Sequence, residues 1–323
     1  MKKLICLIAA LSLLLSLAAC GQEGDSRSGA EEEGLTVLAS TYPVYLLARS
    51  VTEGAEGVSV ERLNTGAVSC LHDYTLTVGD MKRIEGADVL AVNGAGLEDF
   101  MADALSAARG AVIDCSEGVE LLESMGHTHS HGDEEEEHSG HYDPHIWMDP
   151  KNAVVMAQNI AAGLSQADPD NQGIYQENLA SVTALLEEWD GEIKDLLLAA
   201  ERDSGVEIPG LITFHDGFQY FAKAFDLPLL AAIEEEEGSE ASAQVINDTV
   251  ALVKEGNIPV IFTEVNGSDA TAQAIARETG CAVGQLTMIM DGPEDGTLQD
   301  NYYSALRDNA AAIVNGFGGE ELQ

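Results

Sequence analysis

"NQGIYQENLASVTALLEEWDGEIKDLLLAAERD", residues 171–203, is the longest helical pattern in the chain and contains no proline. Ile174, Leu179, Val182, Leu185, Leu186, Trp189, Ile193, Leu196 and Leu197 recur at helical spacing. A continuous helix of this length spans roughly 50 Å at about 1.5 Å per residue. That is enough to run along two stacked lobes. On both sides of it, short apolar runs alternate with helical patterns. Before it come the strands "LTVLAS", "VSVERLNT", "DVLAVNGAG" and "GAVIDCS". They are separated by the helices "YPVYLLARSVTEGA", "TVGDMKRIEGA" and "FMADALSAA", with Thr77 as the expected N-cap of the second and Gly86 as its stop. "NAVVMAQNIAAGLSQ" adds a helix before the break at "ADPDN". After the long helix come the strands "LITF", "LPLLAAI", "PVIFTE" and "CAVGQLT", with helices between them and a last helix from about Asn301 to Val314. This order predicts an α/β protein: two (β/α) lobes with parallel sheets joined by one long helix. No sequence motif repeats between the halves.

The chain has 323 residues, which suits two lobes of roughly 100–150 residues each. The expected divisions start with a signal peptide at 1–19 and a flexible tether at 20–34. An N-terminal lobe at 35–150 carries a His/Glu-rich loop at 126–141. A helical segment at 151–205 contains the linker of about 171–203, and a C-terminal lobe covers 206–323. Lys2 and Lys3 precede an apolar run from Leu4 to Ala19 that ends at Cys20. That is the layout of a secretory leader, and it is short of the about 20 apolar residues of a spanning helix. "LAAC" has the form of a bacterial lipobox, in which Cys20 becomes the lipidated first residue. The plainer alternative is an ordinary signal peptide with Cys20 incidental. The acidic, Gly-rich stretch "GQEGDSRSGAEEEG" then reads as a tether between lipid and domain. Beyond Cys20 only Cys70, Cys115 and Cys281 remain, with no C-x-x-C, so at most one disulfide can form. The formal net charge of −41 excludes nucleic acid as a partner and attracts cations.

Six of the eight histidines lie in "MGHTHSHGDEEEEHSGHYDPHIWMDP", residues 125–150. Five of these, His127, His129, His131, His138 and His141, flank or alternate around the run Glu134–Glu137. Like-charge runs are solvated, and histidine tracts bind metal by composition alone. The remaining three, His72, His145 and His215, each stand after or beside an expected strand end. Ligands of open α/β sheets bind there. Three imidazoles with an oxygen ligand make a tetrahedral site suited to Zn2+. Taken singly, a histidine after a strand is more often a loop or capping residue. The separations between the three match no short zinc spacing.

The segments around these histidines carry more. "HDYTLTVGDMKRIEGADVLAVNGAGLEDF", "DPHIWMDPKNA", "TFHDGFQYFAKAFDLP", "EASAQVINDTVALVKEGNIPVIFTE" and "AIARETG" occur in that order. Together, over about residues 35–316, they resemble the zinc/manganese class (cluster A-I) of ABC transporter solute-binding lipoproteins, most of all the zinc receptors. The resemblance implies two lobes bridged by a rigid helix, with the metal in the cleft between them. It places ligands on His72, His145 and His215. The fourth position departs from the family pattern: Thr287 stands in the slot within "QLTMIMDGPED", and Asp291 lies four residues on, with water as the alternative. Glu264 would orient a ligand from behind, or else serve as a helix cap or a charge on the cleft lip. Cys70, two residues before His72, is a less fitting sulfur ligand than a free thiol.

The function expected is a monomeric, extracytoplasmic receptor, anchored through Cys20, that delivers Zn2+ to an ABC permease and its ATPase. The five loop histidines would collect metal weakly beside the tight site. The alternatives are a Mn2+ receptor of the same class, a related adhesin role, and a surface zinc hydrolase. Against the last, the chain has no H-E-x-x-H helix and no G-x-S-x-G elbow.

Overall fold

The computed structural model describes residues 34–63, 75–125, 142–234, 241–265 and 267–318. The leader, the tether up to residue 33, Cys20, Cys70, His72 and the five histidines of 126–141 lie outside the described residues. From Leu35 onward the chain forms one compact unit. Its first sheet contains β1 (Leu35–Ala39), β2 (Val58–Arg62), β3 (Val89–Val92) and β4 (Ala111–Asp114), all parallel, in the order β2-β1-β3-β4. The second contains β5 (Leu211–His215), β6 (Leu229–Glu234), β7 (Val260–Glu264) and β8 (Ala282–Leu286), also parallel, in the order β6-β5-β7-β8. The two lobes therefore share one topology without a shared sequence motif. In each, the second strand lies outside the first, and the chain then crosses to the other side. The crevices between β1 and β3 and between β5 and β7 are topological switch points, where α/β sheets bind ligands.

Helices α1 (Tyr42–Thr52), α2 (Val78–Gly86) and α3 (Ala102–Leu105) connect the first sheet. Local chemistry fixes where they start. Thr41 accepts from Val44 N at the start of α1, with Pro43 in the first turn. Thr77 and Asp80 form the reciprocal capping box of α2, as the sequence predicts. The expected helix "FMADALSAA" shrinks to a 3-10 turn, Asp99–Met101, and the single turn of α3. After Asp149, whose side chain caps from the N-terminus, α4 runs Pro150–Ala167. The long helix α5 spans Gln172–Ser204 and ends on Gly205 in the left-handed conformation (φ 65°), which favours glycine.

One side of α5 is buried: Tyr175, Val182, Leu186, Trp189, Ile193, Leu197 and Ala200, three, four or seven residues apart. That is the repeat of a helix seated in a groove along its length. Near its start, Asn178 Nδ2 donates to the last carbonyls of the α1 region, Val51 (3.0 Å) and Glu53 (2.8 Å). Further on, Trp189 stacks on Tyr303 at 5.0 Å between ring centres. Tyr303 closes a π-helical turn, Leu298–Tyr303, that leads into the last helix. In the second lobe α6 (Gln219–Ala224), α7 (Ala243–Gly256) and α8 (Ala270–Thr279) connect the strands, and α9 (Ser304–Gly316) packs on β8 and α5. The last helix therefore starts three residues later than expected, because the π-helical turn takes up its first residues. Cys115 and Cys281 are free thiols.

The main apolar core is continuous across both lobes. It joins Val37, Ala39 and Val89 of the first sheet to α5 and to Leu211, Val260 and Phe262 of the second. Shared burial of this kind couples the unfolding of the two halves. Leu186, fully buried on α5, reports on it. Leu186→Ala should cost about 2–5 kcal/mol in one cooperative urea transition. Two separate transitions would show lobes that fold independently.

Candidate metal centre

Two of the three expected ligand histidines lie within the described residues, and the fold brings them into contact. His215 is the last residue of β5, at the switch point of the second sheet. His145 precedes the 3-10 turn Ile146–Met148, on the segment leading into α4. Seventy residues apart, their Nε2 atoms stand 3.2 Å from each other, with ring centres 4.9 Å apart and planes at 89°. Both are almost wholly buried, at 1% and 2% exposed. Two nitrogens bound at about 2.05 Å to one tetrahedral zinc would lie about 3.3 Å apart. The pair is thus spaced as two ligands of one ion.

Each ring is held in place. Asp143 Oδ1 contacts His145 Nδ1 at 2.7 Å and accepts from His145 N at 2.9 Å. A buried carboxylate on Nδ1 fixes the proton there and leaves the Nε2 lone pair aimed at His215. Trp147 stands edge-on to His145 at 5.3 Å, and its Nε1 donates to Met288 O at 2.8 Å. Gly217 is required by space alone. A Cβ there would lie 2.3 Å from Met288 Sδ, 2.8 Å from His215 Cδ2 and 3.3 Å from His145 Cδ2.

Negative charge surrounds the pair. Burial pushes the Asp143 carboxyl up to about 7 and also raises Asp216, next to His215. Asp143 Oδ2 is buried and has no hydrogen-bond partner among the described residues. The register Thr213↔Phe262 carries His215 level with Glu264, the buried last residue of β7. Carboxylates desolvated in this way gain when a cation enters among them. Glu264 thus lies beside His215 on the neighbouring strand.

Asp291, the expected oxygen ligand, forms an ion pair with Arg62, whose NH2 lies 3.1 Å from Asp291 Oδ1. Among the described residues no three of His, Cys, Asp and Glu group to hold an ion. His72, the third expected ligand, lies outside the described residues.

The base of 126–141 is tied to both histidines. Ser124 Oγ and Met125 N each donate to Asp216 Oδ2 at 2.7 Å. Glu123 pairs with Tyr142 in an antiparallel bridge, and Asp143 N donates to Leu122 O at 2.8 Å. The segment thus leaves beside His215 and returns beside His145.

Asp143, Asp216, Gly217 and Arg62 were not singled out from the sequence. For Asp143 a signal existed, since it stands two residues before an expected ligand histidine in "DPH". Nothing local marks the other three, whose roles arise from contacts between lobes.

Across the first sheet's switch point, Glu98 is wholly buried. It accepts from Ser40 Oγ (2.6 Å), Asn93 N (2.8 Å) and Gly94 N (3.0 Å). Asn93 Nδ2 in turn donates to Pro144 O at 2.9 Å, one residue before His145. Burial outweighs these donors and raises the Glu98 carboxyl from its ordinary 4.5 to about 7.

A model for the family described as "Zinc-uptake complex component A periplasmic" matches residues 37–316. The zinc-binding lipoprotein AdcA of Streptococcus pneumoniae is 27% identical over 320 residues, which is 97% of this chain and 60% of AdcA. The chain thus spans about three fifths of that relative's length. The manganese ABC transporter substrate-binding lipoprotein PsaA of Streptococcus mitis is 25% identical, over 98% of this chain and 99% of PsaA. Among solved structures, the laminin-binding protein Lmb of Streptococcus agalactiae superposes with a TM-score of 0.73. It is 26% identical and covers 88% of this chain and 100% of its own; its description is a bifunctional protein with adhesin and metal transporting activity.

Two outcomes test the site. Asp143→Asn keeps the shape but no longer fixes the His145 proton, so zinc affinity measured by chelator competition should fall about 10- to 100-fold; an unchanged affinity would remove Asp143 from the site. Glu98 titrates with the opposite sign to an ordinary surface acid. Its folded-state pKa is raised, so its contribution to stability is complete below pH about 4.5 and is lost as pH rises through about 7. In thermal melts of the metal-free protein, Glu98→Gln should gain on the wild type between pH 5 and pH 8. A constant difference would show that Glu98 is ionised throughout.

Proposed function

The chain belongs to the zinc-uptake component A family, and on that premise we propose that it is the metal receptor of an ABC importer. It would capture Zn2+ outside the cytoplasm and pass it to a membrane permease driven by an ATPase. The observation that carries this reading is the buried His145–His215 contact between the two lobes, with Asp143 fixing the proton on His145. His72 supplies the third imidazole. The fourth position falls to water, because Asp291 is held by Arg62.

Neutral imidazoles suit zinc, and manganese favours harder oxygen ligands. The names AdcA and PsaA support one metal each; the two imidazoles in contact favour zinc. The hydrolase alternative gains no support, since neither the family nor the relatives are described as enzymes. The adhesin role described for Lmb is compatible with a receptor but has no feature of this chain behind it.

Lipid on Cys20 would hold the receptor at the membrane surface, as the lipoprotein names of the relatives support. No described helix is long and apolar enough to cross a membrane. The core shared by the lobes favours small movements on loading over wide hinge closure. His127, His129, His131, His138 and His141, on a segment that starts and ends beside the paired histidines, would collect zinc weakly. Glu264 would steady His215 from the neighbouring strand.

Zinc titration followed by isothermal calorimetry tests the division of labour. The wild type should show one tight site and several weak ones. Deleting 126–141 should remove the weak sites alone, and alanine at His72, His145 or His215 should abolish the tight one. A tight site that survives any of the three alanines removes that residue from the ligand set.

A further inference from the structure

The two paired histidines are placed by different means. His215 ends β5, so the sheet sets its backbone. Asp143, Pro144 and His145 belong to no helix or strand, and side chains and turns must do the same work. Every backbone polar group of these three residues is bonded, as buried chain requires. Asp143 N donates to Leu122 O at 2.8 Å, and Asp143 O accepts from Tyr220 OH at 3.0 Å. Pro144 O accepts from Asn93 Nδ2 at 2.9 Å. His145 N donates to Asp143 Oδ1 at 2.9 Å, and His145 O accepts from Met148 N at 3.1 Å. Of these bonds, the one from Asn93 ties the segment to the first sheet, because Asn93 directly follows β3. The proline ring fixes φ of Pro144, so rotation about its ψ is the freedom left in placing His145. A bond to Pro144 O restrains that rotation.

Asn93 is itself held firmly. It is wholly buried. Its Nδ2 also donates to Gly94 O at 3.0 Å, and its Oδ1 has no partner among the described residues. The amide is thus oriented by what it donates. Asn93 N donates to Glu98 Oε1 (2.8 Å) and Ser40 Oγ (3.1 Å), and Gly94 N donates to Glu98 Oε2. The turn that brings Glu98 back beneath Asn93 runs through three successive left-handed residues, Gly94 (φ 80°), Ala95 (φ 54°) and Gly96 (φ 86°). A Cβ on Gly94 would lie 1.9 Å from Asp114 Oδ1. Ala95 carries the steric cost of that conformation. It persists because the Glu98 carboxylate and Ser116 Oγ, which accepts from Ala95 N at 3.0 Å, over-determine the turn. Local strain held in this way clusters at working positions.

We infer that Asn93 is a positioning residue of the metal centre: through Pro144 O it keeps the His145 ring at ligand spacing from His215, and the turn held by Glu98 presents its amide for that bond. The inference rests on the metal-receptor reading. Asn93 acts through His145 and not on the ion. Without its bond, part of the binding energy of the metal goes into ordering the His145 segment.

The experiment measures zinc dissociation constants on the full chain, by competition with a metal-binding dye. It also records the visible absorption of the one-to-one Co2+ complex, which reports the geometry around the ion. The wild type is compared with Asn93→Ala, Asn93→Asp and Ile275→Ala. Ile275 is buried in the separate apolar cluster of the second lobe and controls for lost stability. Asn93→Ala should weaken zinc about 10- to 100-fold and change the Co2+ spectrum. Asn93→Asp keeps the size but turns oxygen towards both carbonyls, so it should weaken zinc against the pull of its added charge. Ile275→Ala should lower the melting temperature and leave affinity and spectrum as they are. Wild-type affinity in Asn93→Ala overturns the inference. So does a gain of affinity in Asn93→Asp, which would make position 93 a matter of charge. A loss in Ile275→Ala as large as that in Asn93→Ala also overturns it, by reducing the effect to general stability. If neither Asn93 variant folds, Ser40→Ala decides, because it removes one support of the same turn. Zinc must then bind more weakly than in the wild type, and an equal affinity overturns the inference. A wild type without a tight site defeats the receptor reading itself, a result seen before any variant is compared.

Discussion

A contact of 3.2 Å between two buried imidazoles, His145 and His215, sets the terms for the rest of the molecule. Neither ring can be solvated where it lies, and each comes from a different half of the chain. The contact holds only if both halves keep their relative position. The continuous core, the long helix α5 and the segment 288–296, whose backbone carbonyls accept from Trp147, Arg62, Tyr42, Tyr45 and Arg49, all act to that end. Each fastens one lobe to the other by a different means: apolar burial, a helix gripped at Asn178 and Trp189, and hydrogen bonds to successive backbone carbonyls.

The electrostatics follow from the same burial. Asp143, Asp216, Glu98 and Glu264 are withdrawn from water around a crevice in a chain of net charge −41. Desolvation raises the first three carboxyls. Arg62, the one buried Lys or Arg among the described residues, is spent on Asp291 and not on the histidine pair. Among the described residues the charges around the histidine pair are therefore mostly carboxylate.

Much of this was legible in the sequence because it rests on local rules. Periodicity marks α5 to within a residue at each end, and Thr77 with Asp80 announces the start of α2. The end of β5 points to His215, since ligands of such sheets lie at carboxyl termini; His145, expected beside a strand end, instead precedes the 3-10 turn before α4, well past β4. What was not legible depends on contacts between distant segments. The sequence cannot show that Arg62 meets Asp291 across 229 residues, so Asp291 reads as a ready ligand. Nor can it show that Gly217 is the gap into which two rings and a sulfur fit. The shortened helix near Phe100 and the π-helical turn before α9 are local irregularities that apolar spacing does not encode.

The central claim is that one ion is held by imidazoles brought together from separate parts of the chain. Zinc K-edge X-ray absorption on the full chain loaded with one equivalent of metal tests it most directly. The account predicts nitrogen ligands at about 2.0–2.1 Å with the outer scattering of more than two imidazole rings. A shell dominated by sulfur at about 2.3 Å, or one of oxygen without ring scattering, would contradict it.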